Sequence, residues 1–256
     1  MHFHIGSRYH PTNLEDTLID IDKNRILVAV QGCDIPTSEE AFEIAKRSDF
    51  IFPGFGVLPW YAHKYVPRLK EMEKYLDEVG MLGEIGLDYR YSPPEATPEL
   101  QKELLAFFLK DAEANDKILN LHIRGASEDT LEILSSYNVQ RVIFHAHNDS
   151  LESIREINDR GYFVTVHPMV LTTSEPSRKD YLASIVKEIS SDSILSEIDT
   201  VPRDYKPPSE ILRPTLDYIA KLRSVSVDEL METILRNSIR LMDGIPQLKA
   251  YTDLLR

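Results

Sequence analysis

Eight short, apolar, β-rich runs alternate with amphipathic stretches along this chain, at 2–5, 26–30, 50–57, 81–85, 118–121, 141–144, 162–166 and 194–198. Such alternation is the pattern of βαβ units on a parallel sheet. Eight units in 256 residues predict an α/β chain folded as a (β/α)8 TIM barrel, a single domain over 1–256. A doubly wound open sheet is the alternative. No GxGxxG or GxxxxGK[ST] pattern follows any run, so nothing supports a Rossmann or P-loop nucleotide site. Helices are expected at 38–47 with Thr37 or Ser38 as N-cap, around 69–79, from 98 to about 116, and at 127–136, 150–160, 178–189, 210–222 and 227–241.

The eight histidines sharpen this picture. His2, His4, His10, His63, His122, His145, His147 and His167 all fall at the C-terminal end of a predicted strand or in the loop after it, and none in a predicted helix. In a barrel those ends form one face, the face where catalytic groups sit. In His2-Phe3-His4, residues i and i+2 of a strand point to the same side, so both imidazoles can face the barrel axis. Two surface histidines would be the plainer reading, were His122, His145 and Asp199 not also at strand ends. The stretch Met81-Leu-Gly-Glu84-Ile-Gly-Leu-Asp88-Tyr-Arg90 reads as a buried strand delivering Glu84 to its C-terminal end, followed by a loop with Asp88 and Arg90.

Imidazole nitrogens and carboxylate oxygens suit zinc, manganese or similar divalent ions. Two metals roughly 3.5–4 Å apart need a bridging group, and a carboxylate supplies one. Glu84 is the candidate bridge. Asp199 could bind one metal and also take a proton, and Glu197, two residues earlier, could share its inward side. Cys33 is the only cysteine, which excludes an internal disulfide and a cysteine-rich zinc site; after a strand it reads as a packed small residue.

Charge and hydropathy bound the partners. Lys plus Arg is 29 against 42 for Asp plus Glu, a net −13 that disfavours broad, sequence-independent nucleic-acid binding without forbidding a local basic site. No apolar run approaches the roughly 18 residues of a membrane span, and the N-terminus lacks a signal-peptide pattern. A cytoplasmic protein without a membrane partner is expected.

His2-Phe-His4, Gly83-Glu84-Ile-Gly-Leu-Asp88-Tyr, His122 after an apolar strand, Val142-Ile-Phe-His145 and Glu197-Ile-Asp199 occur in the order seen in TatD-like metal-dependent hydrolases, which the chain resembles over nearly its whole length. The closing segment from Ala220-Lys-Leu to Arg240-Leu is similar as well. The resemblance implies an amidohydrolase-type barrel holding one or two divalent ions (zinc, manganese or magnesium). It also implies phosphodiester hydrolysis by a metal-bound hydroxide, with DNA among the phosphate-containing substrates. By position it implies His2 and His4 on one metal, Glu84 bridging, His122 and His145 on the second, and Asp199 as ligand and base, with Glu84 and Asp199 carrying the catalysis. The chain departs from the family at Gly56-Val-Leu-Pro-Trp60, at His145-Ala-His147-Asn-Asp149 and at Asp199-Thr-Val-Pro202, so substrate-facing residues differ more than the metal set.

Arg8, Lys64, Arg90, Arg124, Arg203 and Lys206 fall in predicted loops after strands and could form a basic rim suited to phosphates, though loops are commonly polar. The substrate candidates are His63, Arg90, Arg124, His147 and Arg203. For His147, capping the following helix is the competing role. His167 lines the site or serves structure, His10 reads as a solvated loop residue, and Trp60 and Tyr61 pack over the barrel mouth or stack on a base. Two rival functions remain. One is hydrolysis of a small ester, amide or lactone, for which many barrels use a carboxylated bridging lysine. No lysine is suitably placed, since Lys117 precedes its strand. The other is a non-catalytic metal-binding barrel, against which six ligand-type residues argue.

Overall fold

A computed structural model describes residues 2–6, 13–199 and 205–256. Among them, eight strands pair in parallel in the order β3-β2-β1-β8-β7-β6-β5-β4. They are β1 (His2–Phe3), β2 (Val28–Gln31), β3 (Ile51–Gly54), β4 (Met81–Asp88), β5 (Ile118–Arg124), β6 (Val142–His145), β7 (Phe163–Val166) and β8 (Ile194–Asp199). The two edges then meet. Phe55 bridges Leu82 in parallel, its N–H donating to the Met81 carbonyl at 3.1 Å while the Gly83 N–H donates to the Phe55 carbonyl at 2.8 Å. The sheet therefore curls shut as a (β/α)8 barrel, which rules out the open doubly wound sheet.

The helices are α1 (Leu14–Asn24), α2 (Ile35–Ala45), α3 (Ala62–Tyr65), α4 (Glu73–Leu76), α5 (Pro98–Asn115) and α6 (Ser127–Leu134). After them come α7 (Leu151–Asp159), α8 (Met169–Thr172), α9 (Pro176–Glu188), α10 (Pro208–Arg223), α11 (Val227–Met242) and α12 (Lys249–Leu255). α2 starts earlier than its sequence suggests. Asp34 is its N-cap and accepts from the Thr37 N–H at 3.1 Å, and Pro36 fits the first turn because its missing N–H is not needed there. The expected helix over 69–79 is instead a 3-10 segment, Val66–Glu71, with a non-helical Arg68, followed by the short α4. Pro67 opens that segment and contributes no N–H. His63 lies in α3 rather than in a loop, so among the described residues one histidine is helical after all.

β4 and β5 run three residues further than the sequence pattern shows. Glu84 consequently sits inside β4, and Asp88 is the last strand residue rather than a loop residue. Glycine permits this: Gly86 has φ +147°, and a Cβ there would lie 2.1 Å from the His122 carbonyl oxygen. Outward faces of the strands, such as Leu82, Ile85, Leu119, Phe144 and Val164, pack on Leu104 and Phe108 of α5 and on the other helices. The N-terminal half of the barrel interior is apolar, with Ala29, Phe52, Met81, Ile118, Ile143 and Leu195 against Leu241 and Met242 of α11. Burying each of the larger of these side chains contributes roughly 1.5–3 kcal/mol, which supports the polar cluster above. Among the described residues, no helix is long and apolar enough to cross a membrane.

Candidate metal centre

Inward positions climb a regular strand two residues at a time, so polar residues stack in layers inside the barrel; β4 departs from this where its register with β5 shifts between Leu82 and Ile85, so that Met81 and Glu84 both face inward. The upper layer brings together His2, His4, Glu84, His122, His145 and Asp199. Glu84 is the hub: His122 Nδ1 lies 2.7 Å from Oε1, His145 Nε2 2.9 Å from Oε1, His4 Nε2 2.8 Å from Oε2 and His2 Nε2 3.8 Å from Oε2. Asp199 Oδ1 lies 3.7 Å from His4 Nε2. The Gly83–Glu84 peptide is cis. Asp199 adopts φ +65°, the left-handed region that non-glycine residues rarely occupy, and its carbonyl accepts the His4 N–H at 2.7 Å.

The second nitrogen of each imidazole is also held. His4 Nδ1 faces the Gln31 carbonyl at 2.9 Å, with Cys33 Sγ at 3.8 Å. His122 Nε2 faces Asp88 Oδ2 at 3.2 Å, His145 Nδ1 faces Glu197 Oε2 at 3.1 Å, and His2 Nδ1 meets the Asn120 amide at 2.9 Å. Gln31, Asp88 and Glu197 accept the proton on one nitrogen of His4, His122 and His145 and so leave a lone pair on the other, pointing at the cluster, whereas the Asn120 NH2 donates to His2 Nδ1. Thr165 in turn donates to Glu197 Oε2 at 2.5 Å. His2, His145 and Glu197 also form a third close donor group, but His145 Nε2 already faces Glu84, so Glu197 serves best as its proton acceptor.

Electrostatics follow from this crowding. Burial disfavours the charged form of His145, yet Glu197 and Glu84 outweigh it and raise its pKa to about 10. His122 is likewise raised, by Asp88 and Glu84 against burial, and His4 by Cys33 and Glu84. His2 goes the other way, to about 3, through burial and the neighbouring His145. Burial would raise Glu84, but His145, His122 and His4 hold it well below the usual carboxylate range. Divalent ions fit this donor set. His2 and His4 Nε2 atoms are 3.2 Å apart, and His122 Nδ1 and His145 Nε2 are 3.3 Å apart. Two nitrogens on one tetrahedral ion at about 2.0–2.1 Å stand about 3.3 Å from each other.

The substrate candidates are more dispersed. Arg90 reaches over Gly125 and lies 3.5 Å from Asp149 Oδ1, half exposed. Arg124 donates to the Ala146 carbonyl at 3.1 Å. His63 borders a groove with Trp60, Tyr61, Lys64 and Tyr91, and the Trp60 and His122 rings stand nearly perpendicular with centroids 5.4 Å apart. His147 is a correction: it is buried beside Phe144, with Nε2 2.8 Å from Ser153 Oγ in α7, and it belongs to the sheet–helix layer. The reason is local, since Ala146 takes φ +44° and turns the chain out of β6. Arg203, with Arg8 and His10, lies outside the described residues. His167 joins the site: Nδ1 accepts the Met169 N–H at 2.8 Å, so Nε2 bears the proton facing Asp199 Oδ2 at 3.5 Å.

Sequence reading missed Asp88 and Asn120 as supports of His122 and His2. Asp88 shares the inward side with Glu84 and Gly86, and Asn120 with His122, so the two-residue period was the available signal. Asp88→Asn makes a sharp test. Oδ1 of Asp88 already accepts the N–H groups of Arg90 and Tyr91, both at 2.8 Å. The asparagine NH2 would therefore face His122 Nε2, impose the other tautomer and remove the Nδ1 lone pair. A metal titration is expected to show about 10–100-fold weaker binding.

The human deoxyribonuclease TATDN3 is 23% identical to this chain over 269 residues, covering 96% of this chain and 95% of the relative. The metal-dependent hydrolase YabD of Bacillus subtilis is 26% identical over 254 residues, covering 94% and 96% respectively. The crystal structure of YJJV, a TatD homologue from Escherichia coli, superimposes with a TM-score of 0.80 at 20% identity, covering 94% of this chain and 96% of that one. The model of the TatD-related DNase family matches residues 1–243, and the chain belongs to that family.

Proposed function

We propose that this chain, as one unit over 1–256, is a metal-dependent phosphodiesterase acting on DNA. The observation that carries the reading is that four imidazoles present a nitrogen toward Glu84 while a protein group holds the other nitrogen of each. His2, His4 and Asp199 would hold one divalent ion and His122 and His145 a second, with Glu84 between them. When bound, such ions supply Lewis-acid charge neutralisation at a phosphoryl oxygen and make water acidic enough to attack at neutral pH.

The protein's own groups do the rest. Asp199 is the proton acceptor: it is partly exposed toward the open face, and His167 steadies it from the other side. Arg90, Arg124 and Lys64 provide cations on that face of an otherwise acidic body. The groove with Trp60, Tyr61 and Tyr91 offers aromatic faces, and Tyr91 is 75% exposed. Aromatic faces beside cations suit stacked bases of a flexible strand. The deoxyribonuclease and hydrolase names of the relatives support the same reading. A reducing, cytoplasmic setting fits the single, buried Cys33 beside His4.

The carbonyl alternative finds no support at Lys117. Its Nζ is buried and bonded to the Leu76 carbonyl at 2.6 Å and to Asp111 at 2.8 Å, so it cannot serve as a bridging carbamate. Parallel assays of oligodeoxynucleotides, bis-p-nitrophenyl phosphate and p-nitrophenyl esters, after chelation and with graded add-back of zinc, manganese or magnesium, test the proposal. Metal-restored cleavage of the two phosphodiesters is expected. Metal-restored turnover of the esters alone would replace it with the carbonyl reading.

A further inference from the structure

A cavity of about 510 Å³ opens at the N-terminal end of the barrel, opposite the strand ends that carry His122, His145 and Asp199. Its volume falls in the roughly 300–1,000 Å³ range of small-molecule sites. The walls are apolar: Phe52, Met81, Ile143 and Leu195 from the strands, and Leu216 and Ile234 from α10 and α11. Met231 and Leu235, one turn apart on α11, line its mouth and are 52% and 40% exposed. The inner end is polar. Asn120 is 1% exposed, one end of its amide meets His2 Nδ1, and the other end, Oδ1, has no partner.

We propose that this cavity binds a neutral, single-chain aliphatic molecule with a terminal hydroxyl, seated with the hydroxyl at Asn120 and the chain leaving past Met231 and Leu235. A hydroxyl both donates and accepts, so it satisfies the open end of the Asn120 amide whichever way that amide is turned. An orphaned buried polar group is costly, which gives the head group its anchor. The apolar wall calls for an aliphatic body, because water gains few hydrogen bonds there and an unfilled void forfeits packing. Charge complementarity favours a neutral ligand. The rim carries Arg25 and Arg213 against Asp217 and Asp228, and among the described residues no lysine or arginine lines the inner end, where Asn120 and the ring of His2 would give a carboxylate no direct ion pair. A second copy of the chain laid on α11 would cover Met231 and Leu235 but could not reach Asn120.

Calorimetric titration of the metal-loaded full chain with 1-decanol tests this, with decanoate as the charged control. One 1-decanol per chain is expected, with decanoate at least about 10-fold weaker. Saturating 1-decanol is expected to raise the melting temperature by on the order of 5 °C. Met231→Trp and the Met231→Trp/Leu235→Trp double variant plug an exposed mouth without touching the core. They are expected to weaken 1-decanol at least about 10-fold while bis-p-nitrophenyl phosphate hydrolysis is retained. Absent saturable binding, equal binding of decanoate, or binding untouched by both plugs would overturn the proposal. So would a dimer by light scattering that Met231→Glu dissociates in a chain binding no 1-decanol.

Discussion

Glu84→Gln is expected to lower metal-dependent hydrolysis of bis-p-nitrophenyl phosphate by roughly 10²–10³-fold, the loss typical of removing one preorganised electrostatic element. The substitution keeps shape and removes charge. Glu84 is the group that three imidazoles approach within 2.9 Å, so its charge is what allows them to crowd together in a buried place. Glutamine also brings an NH2 that competes for the lone pairs on His122 and His145. Glu84→Ala would leave buried imidazoles without their counter-charge, a loss of about 3–5 kcal/mol, which makes glutamine the cleaner variant. Full turnover at equal metal content in a folded Glu84→Gln protein would remove Glu84 from the mechanism.

The same variant gives a pH readout that does not need turnover. In the metal-free chain Glu197 and Glu84 raise His145 to about 10, and Asp88 and Glu84 raise His122, in each case against burial; Cys33 and Glu84 raise His4. His145 therefore holds its second proton at pH 7, and the upward shifts of His122 and His4 act in the same direction. A divalent ion binds only neutral imidazole, so loading releases protons and apparent affinity rises with pH. Calorimetry in two buffers of different ionisation enthalpy is expected to show at least one proton released per chain. In Glu84→Gln the carboxylate that raises all three is gone, so proton release falls and affinity varies less with pH. A pH-independent affinity in the wild-type chain would contradict the coupling.

Asp199→Asn is expected to lower kcat by about 10²–10⁴-fold, the range for a positioned general base, with KM and bound metal little changed. An amide oxygen can still face an ion but cannot accept the proton from the attacking water. Asp199 is suited to the task by position: it ends β8, faces His4 on one side and His167 on the other, and stays partly open to the substrate face. The left-handed backbone at Asp199 aims the carboxylate there, and asparagine tolerates that conformation well, so folding should survive. A loss of metal equal to the loss of rate would recast Asp199 as a ligand only.

Much of the site could be read along the chain because strand periodicity is local. The pairs His2 and His4, and Glu197 and Asp199, follow from alternate residues sharing a side. His147 misled for the same reason: it is two residues beyond His145, but β6 has already ended and Ala146 has turned the chain outward. Asp88 was placed in a loop because the Gly-rich stretch hid three further strand residues, and only pairing with β5 extends β4 to that point. His63 in α3 shows the converse, a turn-like Pro-Trp-Tyr stretch that packs as short helical turns.

The residues alone determined the alternation of strands and helices, the inward side of the regular strands and the donor types that face the axis. They could do so because these properties depend on neighbours within a few positions. Tertiary structure alone decided which polar partner meets which imidazole, since Asp88 with His122, Glu197 with His145 and Asn120 with His2 are set by how separate strands are placed. It also decided that Phe55 and Leu82 close the sheet, and that the barrel floor keeps a cavity reaching Asn120. Closure and cavity both arise from how distant segments pack, and side-chain volume far along the chain sets that packing.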